Sequence, residues 1–325
     1  MPYSSEVIGR ARQRLESEKT DKRSRYYANL EQAYRELPRL QQIDMIMKQN
    51  VAQAVQSAFS KENGLELMAQ ARKVNEALQK EWDALVAEHF PRGFLDETPY
   101  CPHCGGLGYV GKEMCACLAE FCRQEQMEEV KNLACGQGYF ADFRLDYYSD
   151  RADPKIGVSP RIIMEQNLRI ARRFAQQLQG NLLFVGGTGL GKTFLSACIA
   201  TSAAQQGYSV TYETASHLFG NMEKDRFSPD EKTQQIVRRY AECDLLIIDD
   251  LGTELPGNFV TAALYSLVND RLLAGKPMVI STNLTIDEIN ARYSPQIASR
   301  LQGNFQGLTF LGEDIRVLKN RGVLV

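Results

Sequence analysis

The chain has 325 residues, 44% hydrophobic and 24% charged, the balance of a soluble protein with two domains or one α/β domain and a large extension. Its 38 Lys and Arg stand against 40 Asp and Glu, which excludes bulk positive charge as a handle for nucleic acid and leaves only local basic surface. The chain opens with no apolar core of signal-peptide length and contains no apolar run long enough to span a bilayer, so a cytoplasmic protein with no membrane partner is expected.

From about residue 20 to residue 90 the sequence is nearly free of Gly and Pro and rich in Gln, Glu, Ala, Lys and Arg, which favours helix. Leu40, Ile43, Met47, Val51, Val55 and Phe59 recur at helical spacing, as do Leu67, Ala71, Val74, Leu78, Trp82 and Leu85, with Asn63-Gly64 between the two stripes. Helices packing on each other is the simplest account; a face for a partner is the alternative.

Cysteines follow. Six of the eight lie between Cys101 and Cys135, and Cys101-Pro-His-Cys104 is followed after ten residues by Cys115-Ala-Cys117. In a reducing compartment this clustering points to metal. Cys101, Cys104, Cys115 and Cys117 form the expected tetrahedral Zn²⁺ site, with Cys122 or His103 as possible replacements for one ligand. Free thiols and a redox pair are the competing readings, the latter lacking a thioredoxin-like βαβ unit around it. Four protein ligands would leave no open position, so the zinc would be structural.

An aromatic, Asp-rich stretch, FADFRLDYYSDRADPKIGVSP over 140–160, reads as a linker or entry segment. Beyond it, predicted helices and strands alternate: helix 161–178, strand 182–185, helix 193–206, strand 209–213, helix near 236–242, strand 245–249, helix 259–273 and strand 278–282. That alternation predicts a parallel, doubly wound sheet. The expected division is a helical and zinc-binding domain over 1–135, a linker over 136–159 and an α/β domain over 160–325.

Gly186-Gly187-Thr188-Gly189-Leu190-Gly191-Lys192-Thr193 satisfies G-x-x-x-x-G-K-[ST], with apolar NLLFV before it as a strand and FLSACIATSAAQQG after it as a helix. Its glycines let successive N–H groups converge on phosphate oxygens at a helix N-terminus. Lys192 would reach the β and γ phosphates of ATP, and Thr193 would coordinate Mg²⁺. Four aliphatics, Leu245 to Ile248, then lead into Asp249-Asp250. Asp249 would hold Mg²⁺ and Asp250 would orient or deprotonate the attacking water. Asn283, after the strand 278–282, either hydrogen-bonds the γ-phosphate or water, or caps the helix expected near Asp287.

Through GGTGLGKT, LLIIDDLG, STN at 281–283 and Ser299-Arg300-Leu301, residues 160–325 resemble AAA+ ATPases of the helicase-loader and transposition-helper clade. The resemblance implies that Asn283 is sensor 1, that Arg300 is an arginine finger reaching a neighbouring subunit's nucleotide, and that Arg316, in Gly312-Glu-Asp-Ile-Arg316, is sensor 2. Asp249-Asp250 departs from the Asp-Glu of many AAA+ proteins, and few residues follow Arg316, so the usual C-terminal helical lid is expected to be missing. The whole layout resembles replicative helicase loaders of Gram-positive bacteria, their phages and mobile elements. That resemblance implies ATP, Mg²⁺ and Zn²⁺ as cofactors, a hexameric replicative helicase and single-stranded DNA as partners, and self-assembly on ATP binding. A transposition helper ATPase, acting on duplex DNA with a transposase, would share the nucleotide site. A small-molecule P-loop kinase gives no reason for Asn283 and Arg300, and a nucleotide binder without turnover gives none for the intact set of Lys192, Thr193, Asp249 and Asp250.

Overall fold

The computed structural model describes residues 3–58, 64–131, 138–154 and 156–320. Phe59, Asn63, Cys135 and the side chain of Leu67 lie outside the described residues. The chain forms two compact units, one of Met1–Arg12 with Leu118–Val325 and the other of Gln13–Cys117. The expected boundaries were 135 and 159, and each of these units is described in its own right.

Helix begins well before residue 20. The first helix, α1 (Ser5–Glu36), is preceded by Ser4, whose hydroxyl accepts from Val7 N–H at 3.0 Å. It ends before Leu37-Pro38, and Pro38, which has no N–H to lose, opens α2 (Pro38–Ala58). α2 packs against α3 (Gly64–His89), where Asn75 donates to the Met47 carbonyl and accepts from Asn50. Near the α1–α2 junction Ala33, Leu40 and Phe90 are buried among Tyr34, Trp82, Leu85 and Val86. The apolar stripes are only partly used in this packing: Leu40 and Ile43 are fully buried, whereas Val51, Val55 and Val74 are each about half exposed.

The cysteine segment carries two short strands, β1 (Tyr109–Val110) and β2 (Glu113–Met114), paired antiparallel. Next comes α4 (Ala116–Lys131). From Leu118 onward this helix belongs with the α/β module. Met127 and Val130 join its core, and Glu125 and Glu129 each pair with Arg10 at 2.8 Å. The start of the chain is tied to the same module by Tyr3, which donates to the Gly207 carbonyl at 2.9 Å.

The α/β elements in order are α5 (Pro160–Gln177), β3 (Asn181–Val185), α6 (Lys192–Gln205), β4 (Val210–Thr214), α7 (Ala215–Phe227), α8 (Glu231–Glu242), β5 (Leu245–Leu251), α9 (Asn258–Leu273), β6 (Met278–Thr282), α10 (Ile286–Arg292), α11 (Pro295–Asn304), β7 (Gln306–Thr309) and α12 (Ile315–Asn320). The sheet runs β4-β5-β6-β3-β7, all parallel. The expected doubly wound sheet is thus present, with β7 as an additional edge strand. Its central strands are buried on both faces, Leu245 to Ile248 completely, as parallel sheets with helices on each side require. β3 lies beside β6, with Val185 level with Thr282, and β4 lies beside β5, with Thr214 level with Asp249. The loop after β3, the acids of β5 and Asn283 therefore emerge at one edge.

The buried Arg271 of α9 secures the opposite ends of the strands. Its guanidinium donates to the carbonyls of Tyr240, Cys243 and Pro277 at 2.8 to 3.1 Å. Among the described residues no helix is long and apolar enough to cross a membrane.

Candidate functional site

At the carboxyl edge of the sheet lies a cavity of about 420 Å³. Its walls include Thr188 to Thr193 of the loop between β3 and α6, with Asp250, Asn283 and Arg316. Ligand crevices of open α/β sheets form at this edge. The loop needs its glycines for two separate reasons. Gly189 and Gly191 adopt φ of +73° and +90°, where L side chains are strained. A Cβ on Gly186 would also stand 2.5 Å from the Phe310 carbonyl, so that position is closed by contact.

The loop is held by elements outside the sheet. Tyr148, 1% exposed, donates from its hydroxyl to the Leu190 carbonyl at 2.9 Å, and Ile315 N–H donates to the Gly189 carbonyl at 2.9 Å. Phe143 stacks on Tyr148 and leans on Phe194. The segment 140–148, expected as linker, is thus a wall of the cavity, where Asp142, Phe143, Arg144 and Tyr147 face it. Its aromatic density was the signal in the sequence.

Lys192, 4% exposed, directs its ammonium at the carbonyls of Gly186 and Gly187 at 2.7 and 2.6 Å and at Asn283 Oδ1 at 2.7 Å. Burial lowers the Lys192 pKa, against the attraction of Asp250 and Asp249. Asp249 is 3% exposed. Its carboxylate accepts from Tyr212 Oη at 2.8 Å and from Ser281 Oγ. Tyr212 was not singled out in the sequence, because nothing in its spacing marks it, and Ser281 entered only as part of STN at 281–283, without a role of its own. Ser281 Oγ also accepts from Asp250 N–H at 2.9 Å. Burial, reinforced by the charge of Asp249, pushes the Asp250 carboxyl above its ordinary range.

Thr193 stands at the same place, its carbonyl within 3.5 Å of Tyr212 Oη. Hard oxygen donors from Thr193 and Asp249, the latter aimed by two hydroxyls, suit Mg²⁺. Asn283 leaves capping to others: α10 starts with a capping box of Thr285 and Glu288, and the Asn283 side chain meets Lys192. Arg316 borders the cavity and Arg300 does not. Arg300, on α11, lies 4.3 Å from the Tyr265 ring centroid, donates to Tyr265 Oη at 2.7 Å and reaches Asn269 Oδ1 at 3.2 Å.

In the other unit the four expected thiols converge. The Sγ atoms of Cys101, Cys104, Cys115 and Cys117 all lie within 4.8 Å of one another, with Cys101 to Cys115 at 3.7 Å and Cys104 to Cys117 at 3.4 Å. Ligands at a Zn–S distance of about 2.3 Å in a tetrahedron stand about 3.8 Å apart, so the cluster has nearly the size zinc needs. Burial acts to raise the Cys104 thiol, but N–H groups of Gly108 and Gly106 together with neighbouring thiols hold it below its ordinary range. Neither Cys122 nor the exposed His103 is among the four.

Residues 156–300 match the family model described as IstB-like ATP binding protein. The replicative helicase loader DnaC of Escherichia coli K12 is 25% identical over 151 residues, which are 45% of this chain and 61% of that protein. An insertion sequence IS232 putative ATP-binding protein of Bacillus thuringiensis subsp. berliner is 26% identical over 153 residues, 46% of this chain and 60% of that one. Among solved structures, the DnaC helicase loader gives a TM-score of 0.44 at 17% identity, covering 53% of this chain and 98% of that chain. The chain thus spans about three-fifths of the length of these curated relatives. Over residues 156–300 the chain is thus similar to IstB-like ATP-binding proteins, and the loop 186–193 between β3 and α6 has the P-loop arrangement of strand, Gly-rich turn and helix.

Proposed function

We propose that this chain is an ATP-driven loader that engages a hexameric replicative DNA helicase and delivers it onto single-stranded DNA. The observation that carries the ATP chemistry is the convergence of Lys192, Asp250 and Asn283 on one cavity of an ATP-binding domain. A P-loop kinase would need an acceptor subsite, whereas these groups are the ones required to hold a triphosphate and a water.

In this reading the loop N–H groups and Lys192 bind the β and γ phosphates, and Asn283 passes from Lys192 to the γ-phosphate or the water. Thr193 and Asp249 would hold Mg²⁺, and the ion would supply neutralisation of phosphate charge there. Asp250 accepts a proton from the attacking water. The water oxygen bonds to the γ-phosphorus as the bond to the β–γ bridging oxygen breaks, giving ADP and phosphate. Arg316 offers a positive charge at the rim of the same cavity. Arg300, which lies outside its own chain's cavity, would serve the nucleotide of a neighbouring copy. ATP binding then favours assembly, and hydrolysis favours release.

Zinc on Cys101, Cys104, Cys115 and Cys117 supplies folding free energy to a segment with only two-residue strands. The helical unit with this metal site is the part assigned to helicase binding, and the ATP-binding domain is assigned to single-stranded DNA. That assignment is tested by gel filtration of the full chain with a replicative helicase: co-elution that is lost on truncation of residues 13–117 supports it. The similarity to insertion-sequence ATP-binding proteins favours a second reading, a transposition helper acting on duplex DNA with a transposase. Preference for duplex over single-stranded DNA, with no helicase binding, would establish that one.

A further inference from the structure

The chain reverses sharply at the end of β5. Asp250 has φ of +55° and Gly252 of +108°, and Thr253 N–H returns to the Asp250 carbonyl at 3.2 Å. A left-handed aspartate is unfavourable unless its surroundings hold it there. Ser281 and Thr282 grip the turn from β6, through Asp250 N–H at 2.9 Å and the Leu251 carbonyl at 2.6 Å. Within the turn the Thr253 hydroxyl donates to the Asp250 carbonyl at 2.9 Å, and a further hold from outside β6 is Glu254. It is 5% exposed and lies outside the nucleotide cavity, yet its carboxylate reaches both ends of a bridge. Oε2 accepts Gly252 N–H at 2.9 Å. Oε1 accepts the Tyr293 hydroxyl and lies 3.5 Å from Arg292 Nε, and Arg292 also donates to the Glu254 carbonyl. Arg292 and Tyr293 occupy the junction between α10 and α11.

A buried carboxylate is retained only where several donors compensate its desolvation. Here those donors come from the turn that presents Asp250 and from the helix junction behind it. Gly252 adds to the constraint, because a Cβ there would stand 2.7 Å from Leu284 Cδ1.

We propose that Glu254 is a positioning residue for ATP hydrolysis, fixing the 250–254 turn against the α10–α11 junction so that the Asp250 carboxylate faces the γ-phosphate; this rests on the ATPase reading above. The loop between β3 and α6 is held independently by Tyr148 and Ile315. Loss of Glu254 therefore slows turnover while leaving nucleotide affinity in place.

The test compares the full-length wild type with Glu254→Ala, Glu254→Gln and Tyr293→Phe, measuring steady-state ATP turnover and the Kd of a fluorescent ADP. Glu254→Ala lowers kcat roughly tenfold or more with Kd within about twofold, the pattern of a lost transition-state interaction. Glu254→Gln, which keeps an acceptor for Gly252 N–H, recovers part of the rate, and Tyr293→Phe loses a smaller part. Wild-type kcat in Glu254→Ala overturns the proposal, as does parallel loss of kcat and affinity, the sign of a general structural role. If Glu254→Ala does not fold, unchanged kcat in both other variants overturns it. A wild type that binds ADP but never hydrolyses ATP overturns the ATPase reading itself and takes this inference with it.

Discussion

Lys192 Nζ donates to Asn283 Oδ1 at 2.7 Å, joining the first turn of α6 to the end of β6 across 91 positions of sequence. In the proposed ATPase reading one phosphate chain would meet groups from two strands, and an ammonium drawn toward phosphate would release the amide. The contact also explains why the cavity is complete only when the sheet is formed.

Lys192→Ala is expected to weaken ATP binding about 10- to 100-fold, since a hydrogen bond to a charged group contributes about 1.5–3 kcal/mol. Asp250→Asn keeps the shape but cannot accept the water's proton, so binding should persist while turnover falls by about 10² to 10⁴. Fluorescent-nucleotide titration and phosphate release measure the two separately. Full turnover by either variant would remove these residues from the site.

Arg300 is held by Tyr265 and Asn269 and takes no part in its own chain's cavity. Mixing Arg300→Ala with Lys192→Ala protein should therefore restore ATPase activity at hybrid interfaces that pair an intact Arg300 with an intact Lys192. A specific activity independent of protein concentration, with no rescue in the mixture, would mark a monomeric enzyme.

Much of the α/β module was legible in the sequence, because strands buried on both faces read as unbroken aliphatic runs, as Leu245 to Ile248 do. β7 was not legible: Gln306-Gly-Leu-Thr309 buries only Leu308, so it carries neither an apolar run nor a clear alternation. α7 escaped for a similar reason, since it buries only Ala215, Leu218 and Phe219 and shows a weak periodic pattern. The four thiols were named by spacing alone, and they do converge. Tyr148, Tyr212 and the role of Ser281 required the fold, because each touches the 186–193 loop or Asp249 from an element distant in sequence.

One zinc ion per chain is expected, bound by Cys101, Cys104, Cys115 and Cys117. Removing it with a strong chelator should expose these thiols to titration and unfold the 101–117 segment, since its two-residue strands offer little else. Metal-free purified protein with all thiols reactive under native conditions would refute the site.

Arg271 is fully buried and donates to carbonyls at the C-terminal end of α8 and the start of β6. Arg271→Leu removes three donations at once, leaving the Pro277 carbonyl only the long bond from Leu246 N–H at 3.3 Å and the Cys243 carbonyl only Lys276 Nζ at 3.4 Å, so the full chain should lose on the order of 2–3 kcal/mol. Its thermal midpoint should fall while ADP affinity at low temperature is preserved. An unchanged midpoint would show that solvent reaches these carbonyls.

The most direct test of the loader account is transfer of a hexameric replicative helicase onto circular single-stranded DNA, which offers no free end to thread. The wild type with ATP should place the helicase on the circle and then leave it, as read by co-sedimentation of helicase and of this chain. Asp250→Asn should load but remain bound, and Lys192→Ala should load little. Helicase appearing on the circle equally well without this protein, or never appearing in its presence, would contradict the account.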